Sequence, residues 1–410
     1  MFAAVHADRA GRIVLAADYA AAADDGLRVR AVASTIPLPA NTEVVPLAER
    51  VAVGMDRTGR PRPLGAGRFA VGAILPPGYV RLLLPAYGAA SRTPSLAPRP
   101  YAAVAANELG ELVVAAALID AKASEFDHRG DPALRERIAG ALRDRPSNAL
   151  LRQLARCARE YGCRAAANAF LGRADCALPV AAPSNERPPD GVGPGATNDA
   201  SPREPAAFHP TAHEVADVAA AHLAAGGVLL AFGRACEGEP LLAARLIEAA
   251  VTSLRRRTSS GVVHVETNGS LPAAIRRLID AGVDSIALRV ASARAETHDT
   301  LTGSEGFRLT DVRASLADAV DAGIAVALVA LVMPGVTDRE RESDALIALA
   351  GALPPSSRVV LRDLAADPDR VRALLPTTEE PHGVERMIER LRAEAPHATL
   401  STHVRPLVRA

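Results

Sequence analysis

From residue 209 onward, short apolar runs alternate with stretches whose apolar residues recur every three or four positions. GVLLAF (227–232), GVVHVET (261–267), DSIALRV (284–290), GIAVALVALV (323–332) and SRVVLRDL (357–364) read as buried strands. A helix is predicted through about 225, with Thr211 and Glu214 as its capping box. Further helices fall at about 240–256, 271–282, near 308–322, near 338–351 and at about 379–395, before a last strand in ATLSTHV (398–404). Strands alternating with helices imply right-handed crossovers and a parallel sheet covered by helices. Six or seven such units predict an α/β fold with a partial (β/α)6 TIM-like barrel over 209–410. Ligands then belong at the carboxyl ends of the strands.

Upstream the period changes. FAAVHADRAGRIVLAA (2–17) and YAAVAANELGELVVAA (101–116) align without gaps, Gly11 on Gly110 and Asp8 on Asn107, each as strand, tight turn, strand. With the alternating PLGAGRFAVGAILPPGYVRLLLP between them, they predict a β-rich N-terminal domain over 1–120. Residues 121–181 form a helical connector and the first barrel strand. Its helical pattern spans 131–160, with Asp131 or Ser147 as cap, and ALPVA (177–181) is the strand. The Pro-, Gly-, Ser- and Asn-rich stretch 182–208 has no apolar period and reads as a long flexible loop.

Composition narrows the chemistry. The chain has 410 residues, 49% of them hydrophobic, enough for more than one core. Its 47 basic and 47 acidic side chains balance, leaving no electrostatic footprint for nucleic acid. Lys122 is the sole lysine, which excludes a phosphate-loop lysine and restricts Schiff-base chemistry to that residue. No run of eighteen apolar residues exists and the four cysteines lack paired spacing, so a cytoplasmic protein without a membrane span is expected. His209 and His213 stand four apart at a helix entry, but no third ligand lies nearby, and they read as surface residues.

The strand ends carry the informative residues. Gly233 and Cys236-Glu237-Gly238-Glu239-Pro240 follow the 227–232 strand, and Asn268-Gly269-Ser270 follows the next. Arg289 and Ser292 end the 284–290 strand, Pro334-Gly335-Val336-Thr337-Asp338 follows 323–332, and Arg362-Asp363 ends 357–364. In this order residues 209–365 resemble the radical S-adenosylmethionine (SAM) superfamily. CEGEPLL is similar to its Gly-Gly-Glu-Pro turn, and ETNGSLPAAIRRLIDAGVDSIALRVAS to its third and fourth strands. GFRLTDVRASLADAVDAGIAVALVALVMPGVTDRERE is similar to its fifth unit, and YGCRAAANAFLGRADCALPVAAPSN to the approach segment of one uncharacterised branch. The resemblance implies SAM as cofactor. Backbone at Glu237, Gly238 and Glu239 would meet its ammonium, Arg289 and Ser292 would hold the carboxylate and ribose, and Val332–Gly335 would border the adenine; Asn268 completes the cofactor set. Arg289 suits a carboxylate through charge-assisted bonds. The plainer readings stay open: Glu237 and Glu239 near a helix start, Asn268 in a turn, Arg289 as a structural ion-pair partner.

The same resemblance implies a 4Fe–4S cluster held by Cys-x3-Cys-x2-Cys after the first strand. With that strand at 177–181, the three positions fall on Ser184, Pro188 and Gly191, none of them a thiolate. Cys176 is expected before the first strand and Cys236 after the second, about 16 Å apart at roughly 3.3 Å per residue. Cys157, Cys163 and Cys176 read as buried structural thiols, although zinc or iron between Cys163 and Cys176 stays open. The expectation is therefore a homologue with a degenerate motif, without cluster or protein-bound metal: a pseudoenzyme or a SAM- or nucleotide-binding protein. Two alternatives stay open. One is an active enzyme, with an atypical cluster or with Glu237, Glu239 and Asp363 as acid–base groups. The other is an interaction scaffold whose β-domain meets a protein partner. A small-molecule ligand is expected, and neither nucleic acid nor membrane.

Overall fold

The computed structural model describes residues 2–89, 93–122, 131–173, 175–181, 183–192, 208–234 and 237–403. Short strands from Ala3–Ala7 to Ala116–Leu118 build the N-terminal part, eleven of them in one antiparallel-paired sheet. Both expected hairpins form, and a third, around Asp56, escaped the sequence reading. In each turn one side chain accepts two backbone N–H bonds: Asp8 from Ala10 and Arg12 (2.8 and 3.0 Å), Asp56 from Thr58 and Arg60 (2.8 and 3.0 Å), Asn107 from Leu109 and Glu111 (3.0 and 2.9 Å). Gly11, Gly59 and Gly110 sit at φ of 79°, 75° and 77°, where a Cβ is disfavoured. The third hairpin was missed because its returning strand is Pro61–Pro63, which shows no apolar alternation.

Helices α1 (Leu134–Asp144), α2 (Ala149–Glu160) and α3 (Arg164–Leu171) follow. The continuous 131–160 pattern thus breaks at Arg145-Pro146, where proline cannot continue a helix. The expected caps shift as well: Asn148, not Ser147, accepts from Leu151 N–H at 2.9 Å, and α1 has no side-chain cap.

Seven parallel strands then run in consecutive order: β1 (Asp175–Ala177), β2 (Leu229–Phe232), β3 (Val262–Thr267), β4 (Ser285–Val290), β5 (Ala325–Val332), β6 (Arg358–Asp363) and β7 (Thr399–Ser401). β1 begins two residues before the predicted strand and ends at Ala177, so Cys176 lies on the first strand rather than before it. α4 (Ala212–Ala224) precedes β2, and Thr211 and Glu214 do form its capping box. A short 3-10 turn (Pro240–Ala243) and α5 (Ala244–Arg255) follow β2, and α6 (Pro272–Ala281) follows β3. α7 (Ala295–Thr302) and α8 (Leu309–Asp321) follow β4, α9 (Glu340–Gly351) follows β5, and α10 (Pro368–Leu374) and α11 (Val384–Glu394) follow β6. α7 and α10 were not expected; each is two turns or fewer, too short to show a period.

Alternation along the strands sorts two faces. Val263 and Val265 on β3, Ile286 and Leu288 on β4, and Leu328 and Ala330 on β5 share one core with Ile138, Leu150, Val215, Ile247, Ile275, Val312, Leu346 and Met387 from the helices. The helices therefore lie on one side. The opposite face combines small apolar residues, Ala287, Ala327, Val329 and Val360, with His264, Glu266, Arg289 and Arg362. No helix among the described residues is long and apolar enough to cross a membrane.

The N-terminal strands dock on the carboxyl ends of β5 to β7. Arg81 is fully buried: its N–H faces Asp363 Oδ2 at 3.2 Å, Nη2 donates to the Leu364 carbonyl at 2.7 Å, and Nε lies 3.8 Å from Asp363 Oδ1. Gly78 N–H donates to Thr402 Oγ1 at 2.9 Å and Leu96 N–H to Asp367 Oδ2 at 2.7 Å. Gly26 and Gly335 meet backbone to backbone; a Cβ on Gly335 would stand 2.4 Å from Gly26 Cα. Truncating Arg81 leaves Asp363 buried without its cation, so Arg81→Ala should cost about 3–5 kcal/mol in urea unfolding. A loss below about 1 kcal/mol, the range of exposed pairs, contradicts this docking.

Candidate functional site: the carboxyl ends of the parallel strands

The turn after β2 is built around two carboxylates. Glu237 accepts N–H bonds from Gly233 (2.5 Å), Val180 (2.9 Å) and Ala181 (3.2 Å), tying the turn to the chain leaving β1. Burial pushes its carboxyl up to about 7, against the pull of those three donors. Glu239 is fully buried and caps the 3-10 turn through Leu241 N–H at 3.0 Å, with Pro240 at the first helical position. It also accepts from Asn268 N–H at 2.9 Å and from the Thr267 hydroxyl, and lies 3.5 Å from Arg289 Nη2. Its carboxyl is raised by burial, with Arg289 opposing. Gly238 and Glu239 N–H donate to the Ala181 (2.6 Å) and Pro183 (2.9 Å) carbonyls, and the Glu239 carbonyl accepts from Leu242 N–H.

Arg289 is contacted by two carboxylates, Glu239 and Glu186, each at 3.5 Å. Burial works to lower its pKa, but Glu186, Glu239, Glu266 and Glu237 outweigh it and raise it. Deeper on the same face, Arg362 holds Glu266 in a bidentate pair, at 2.8 Å for Nη2–Oε2. Burial would raise Glu266, but Arg362 brings it down to about 2. Arg234 reaches Asp175 on β1 at 2.9 Å and His403 beyond β7 at 3.2 Å. His264 Nδ1 meets Ser285 Oγ at 2.7 Å, and burial lowers its pKa to about 3.

The predicted cofactor residues thus share one end of the sheet, but each is engaged within the chain. Glu237, Gly238 and Glu239 bind strands and the 181–183 backbone. Asn268 Nδ2 donates to Asn185 Oδ1 at 2.8 Å, and its Oδ1 accepts from Ser270 N–H at 3.1 Å. The Ser292 hydroxyl donates to Glu342 at 2.5 Å, alongside Thr297. Gly335 lies against Gly26 and donates its N–H to Asp338 Oδ1 at 2.7 Å. Asp363 is spent on Arg81. His213 lies exposed beside Asp217, as expected of a surface residue. Sequence reasoning missed Glu186 and Asn185, which sit in the stretch read as loop. Their only local signal is two polar side chains before Pro188-Pro189.

A three-thiolate cluster does not fit the described residues. Cys157 and Cys176 belong to the helix-covered core, on the face opposite Glu266 and Arg289, and Cys163 packs half-buried against that core. Cys176 is fully buried, which raises its thiol pKa and disfavours thiolate. Cys236 lies outside the described residues, as do 193–207 of the predicted loop. No group of three His, Cys, Asp or Glu side chains that could hold a metal ion occurs among the described residues. A carboxylate-bearing ligand does suit Arg289, on condition that Glu186 yields its place.

Residues 191–347 match the model of the radical SAM superfamily. No curated protein matches the chain. Among solved structures, a radical SAM methyltransferase from Sphaerobacter thermophilus aligns at 18% identity and TM-score 0.35, over 55% of this chain and 64% of its own. Methylornithine synthase (PylB) aligns at 14% identity and TM-score 0.38, over 67% and 76%. HydG, a maturase of the FeFe-hydrogenase, aligns at 16% identity and TM-score 0.38, over 67% of each chain.

Glu237, Asp338 and Asp363 each titrate at about 7 in the folded chain, above the ordinary 4.5 for Glu and 3.8 for Asp. Their stabilisation is present below those ordinary values and is lost as pH rises through about 7. Glu266 acts oppositely, losing its contribution as pH falls through about 2. Buried His264 and His403, lowered to about 3, have spent their effect once pH exceeds the ordinary 6.5. The urea midpoint should therefore fall between about pH 6.5 and pH 8, and a rise contradicts the assignment. Glu237→Gln should flatten this slope and cost about 1–3 kcal/mol, because its amide nitrogen would face backbone donors.

Proposed function

We propose that this chain is a radical SAM homologue without the 4Fe–4S cluster, a pseudoenzyme whose strand-end face is filled by its own residues. The observation that carries the reading is the placement of its thiols. Of four cysteines in the chain, Cys157 and Cys176 are buried in the helix-side core and Cys163 packs half-buried against it, which leaves Cys236, outside the described residues, as the one remaining thiol. One thiolate cannot hold a cubane that needs three. Ser184 and Gly191, aligned with two of the expected ligand positions, lie in a segment bonded to Glu186, Asn268, Gly303 and Asp367 instead.

The fold proposed with this function is a partial (β/α)6 barrel. Supporting it are consecutive parallel strands, helices on one face, and Arg234 touching Asp175 of the first strand and His403 beyond the last. A flat sheet of seven strands at roughly 4.8 Å spacing would hold its edges about 29 Å apart, beyond the reach of one arginine. The superfamily implies SAM as ligand, and Arg289 keeps a cation where a carboxylate can be received. The N-terminal strands, docked through Arg81, cover the remaining strand ends.

Iron and sulfide analysis after anaerobic reconstitution tests the reading. Iron well below one atom per chain is expected, equal in the wild type and in a Cys236→Ser variant. About four irons and four sulfides per chain, lost in that variant, overturn it.

A further inference from the structure

Residues 183–192 cross the strand ends from β2 to β6. Asn185 Nδ2 donates to Ser270 Oγ at 2.9 Å and its carbonyl accepts from Glu305 N–H at 2.8 Å. Arg187 N–H donates to the Gly303 carbonyl at 3.1 Å, and Glu186 pairs with Ser304 as an isolated antiparallel bridge. The far end is pinned where the Gly191 carbonyl accepts from Asp367 N–H at 2.7 Å and Val192 packs with Leu84, Leu301, Leu331 and Met333. Between these ends Glu186, 11% exposed at its side chain, reaches Arg289.

The ion pairs of this face differ in quality: Glu266 grips Arg362 with two short parallel bonds, whereas the two on Arg289, from Glu186 and Glu239, are each 3.5 Å long. Val192 is the segment's buried apolar anchor; its other described contacts are hydrogen bonds, worth about 1 kcal/mol each, and two ion pairs, Glu186 with Arg289 and the exposed Arg187 with Glu305 at 3.4 Å. A segment held this way belongs to the low-stability end of a fold, which opens while the core stays closed. Arg289, by contrast, is half-buried on a strand and cannot follow the segment outward; with the strap lifted, Glu239 alone would face a nitrogen that otherwise meets two carboxylates.

We propose that residues 183–192 are a self-supplied occupant of the strand-end face: Glu186 gives Arg289 the carboxylate that an incoming ligand would otherwise bring. A small carboxylate-bearing ligand enters only as this strap lifts, so strap and ligand exclude one another. The inference rests on the reading that no cluster stands on this face.

The test uses the full chain and the variant Glu186→Gln, with amide hydrogen exchange and SAM calorimetry on the same preparation. In the variant, exchange at Arg187, Glu239, Glu305 and Asp367, whose N–H groups bond from or onto the strap, should rise about tenfold while β4 and β5 are unchanged. SAM should bind the variant about fivefold more tightly than the wild type, the effect of losing one ionic competitor worth about 1 kcal/mol. Gly303→Ala, whose methyl would stand 2.0 Å from the Arg187 carbonyl, should raise strap exchange by a second route. Unchanged strap exchange in Glu186→Gln overturns the proposal whether or not SAM binds, and so does equal or weaker SAM binding in that variant. Iron content separates the two failures: a loaded cluster overturns the pseudoenzyme reading, whereas iron-free protein with an unresponsive strap overturns the strap alone.

Discussion

A carboxylate cut off from water must find donors or a cation, and Glu239 finds both. It collects the Leu241 and Asn268 N–H groups, the Thr267 hydroxyl and the Arg289 guanidinium, drawing the ends of β2, β3 and β4 to one point. Most other features of the face follow from that joint. Arg289 Nη2 lies between Glu239 below and Glu186 on the segment that crosses the strand ends, 3.5 Å from each. Glu237, two residues before Glu239 on the same turn, ties the chain leaving β1 to it, and so sets where the following segment begins.

Two pieces of the chain then divide the strand ends. The 183–192 strap lies over β2 to β4 and reaches β6 through Asp367, while the N-terminal strands close on β5 to β7. Asp367 serves both: its N–H meets the strap at Gly191 and its carboxylate accepts from Leu96. Strap and N-terminal strands are thereby coupled through Asp367, and also through the apolar cluster that Val192 shares with Leu84. Disturbing the Arg81–Asp363 docking should be felt by the strap, although no bond joins the two covers directly among the described residues.

Legibility in the sequence followed the range of the forces involved. Repeated apolar patterns revealed the parallel strands, because a strand covered on both faces must be apolar throughout, as AVALVALV in β5 is. The capping box at Thr211 and the paired hairpin turns at Asp8 and Asn107 were equally readable, being interactions of neighbours. Arg81 was not. Nothing in YVRLLLP distinguishes a surface arginine from one fully buried against a partner 282 residues away. Glu186 failed for the same reason, since a proline-rich stretch without period looks like linker until Arg289 appears opposite it. The turn at 237–239 was found, but its side chains proved to be joints of the fold, and Ser292 and Gly335 turned out to serve Glu342 and Gly26.

The central claim is that this chain keeps the strand-end architecture while its thiols are placed elsewhere. Low-temperature electron paramagnetic resonance of anaerobically reconstituted, dithionite-reduced protein addresses it most directly, with and without SAM. The account predicts no cluster signal in either sample. A reduced 4Fe–4S spectrum whose shape changes when SAM is added would contradict it.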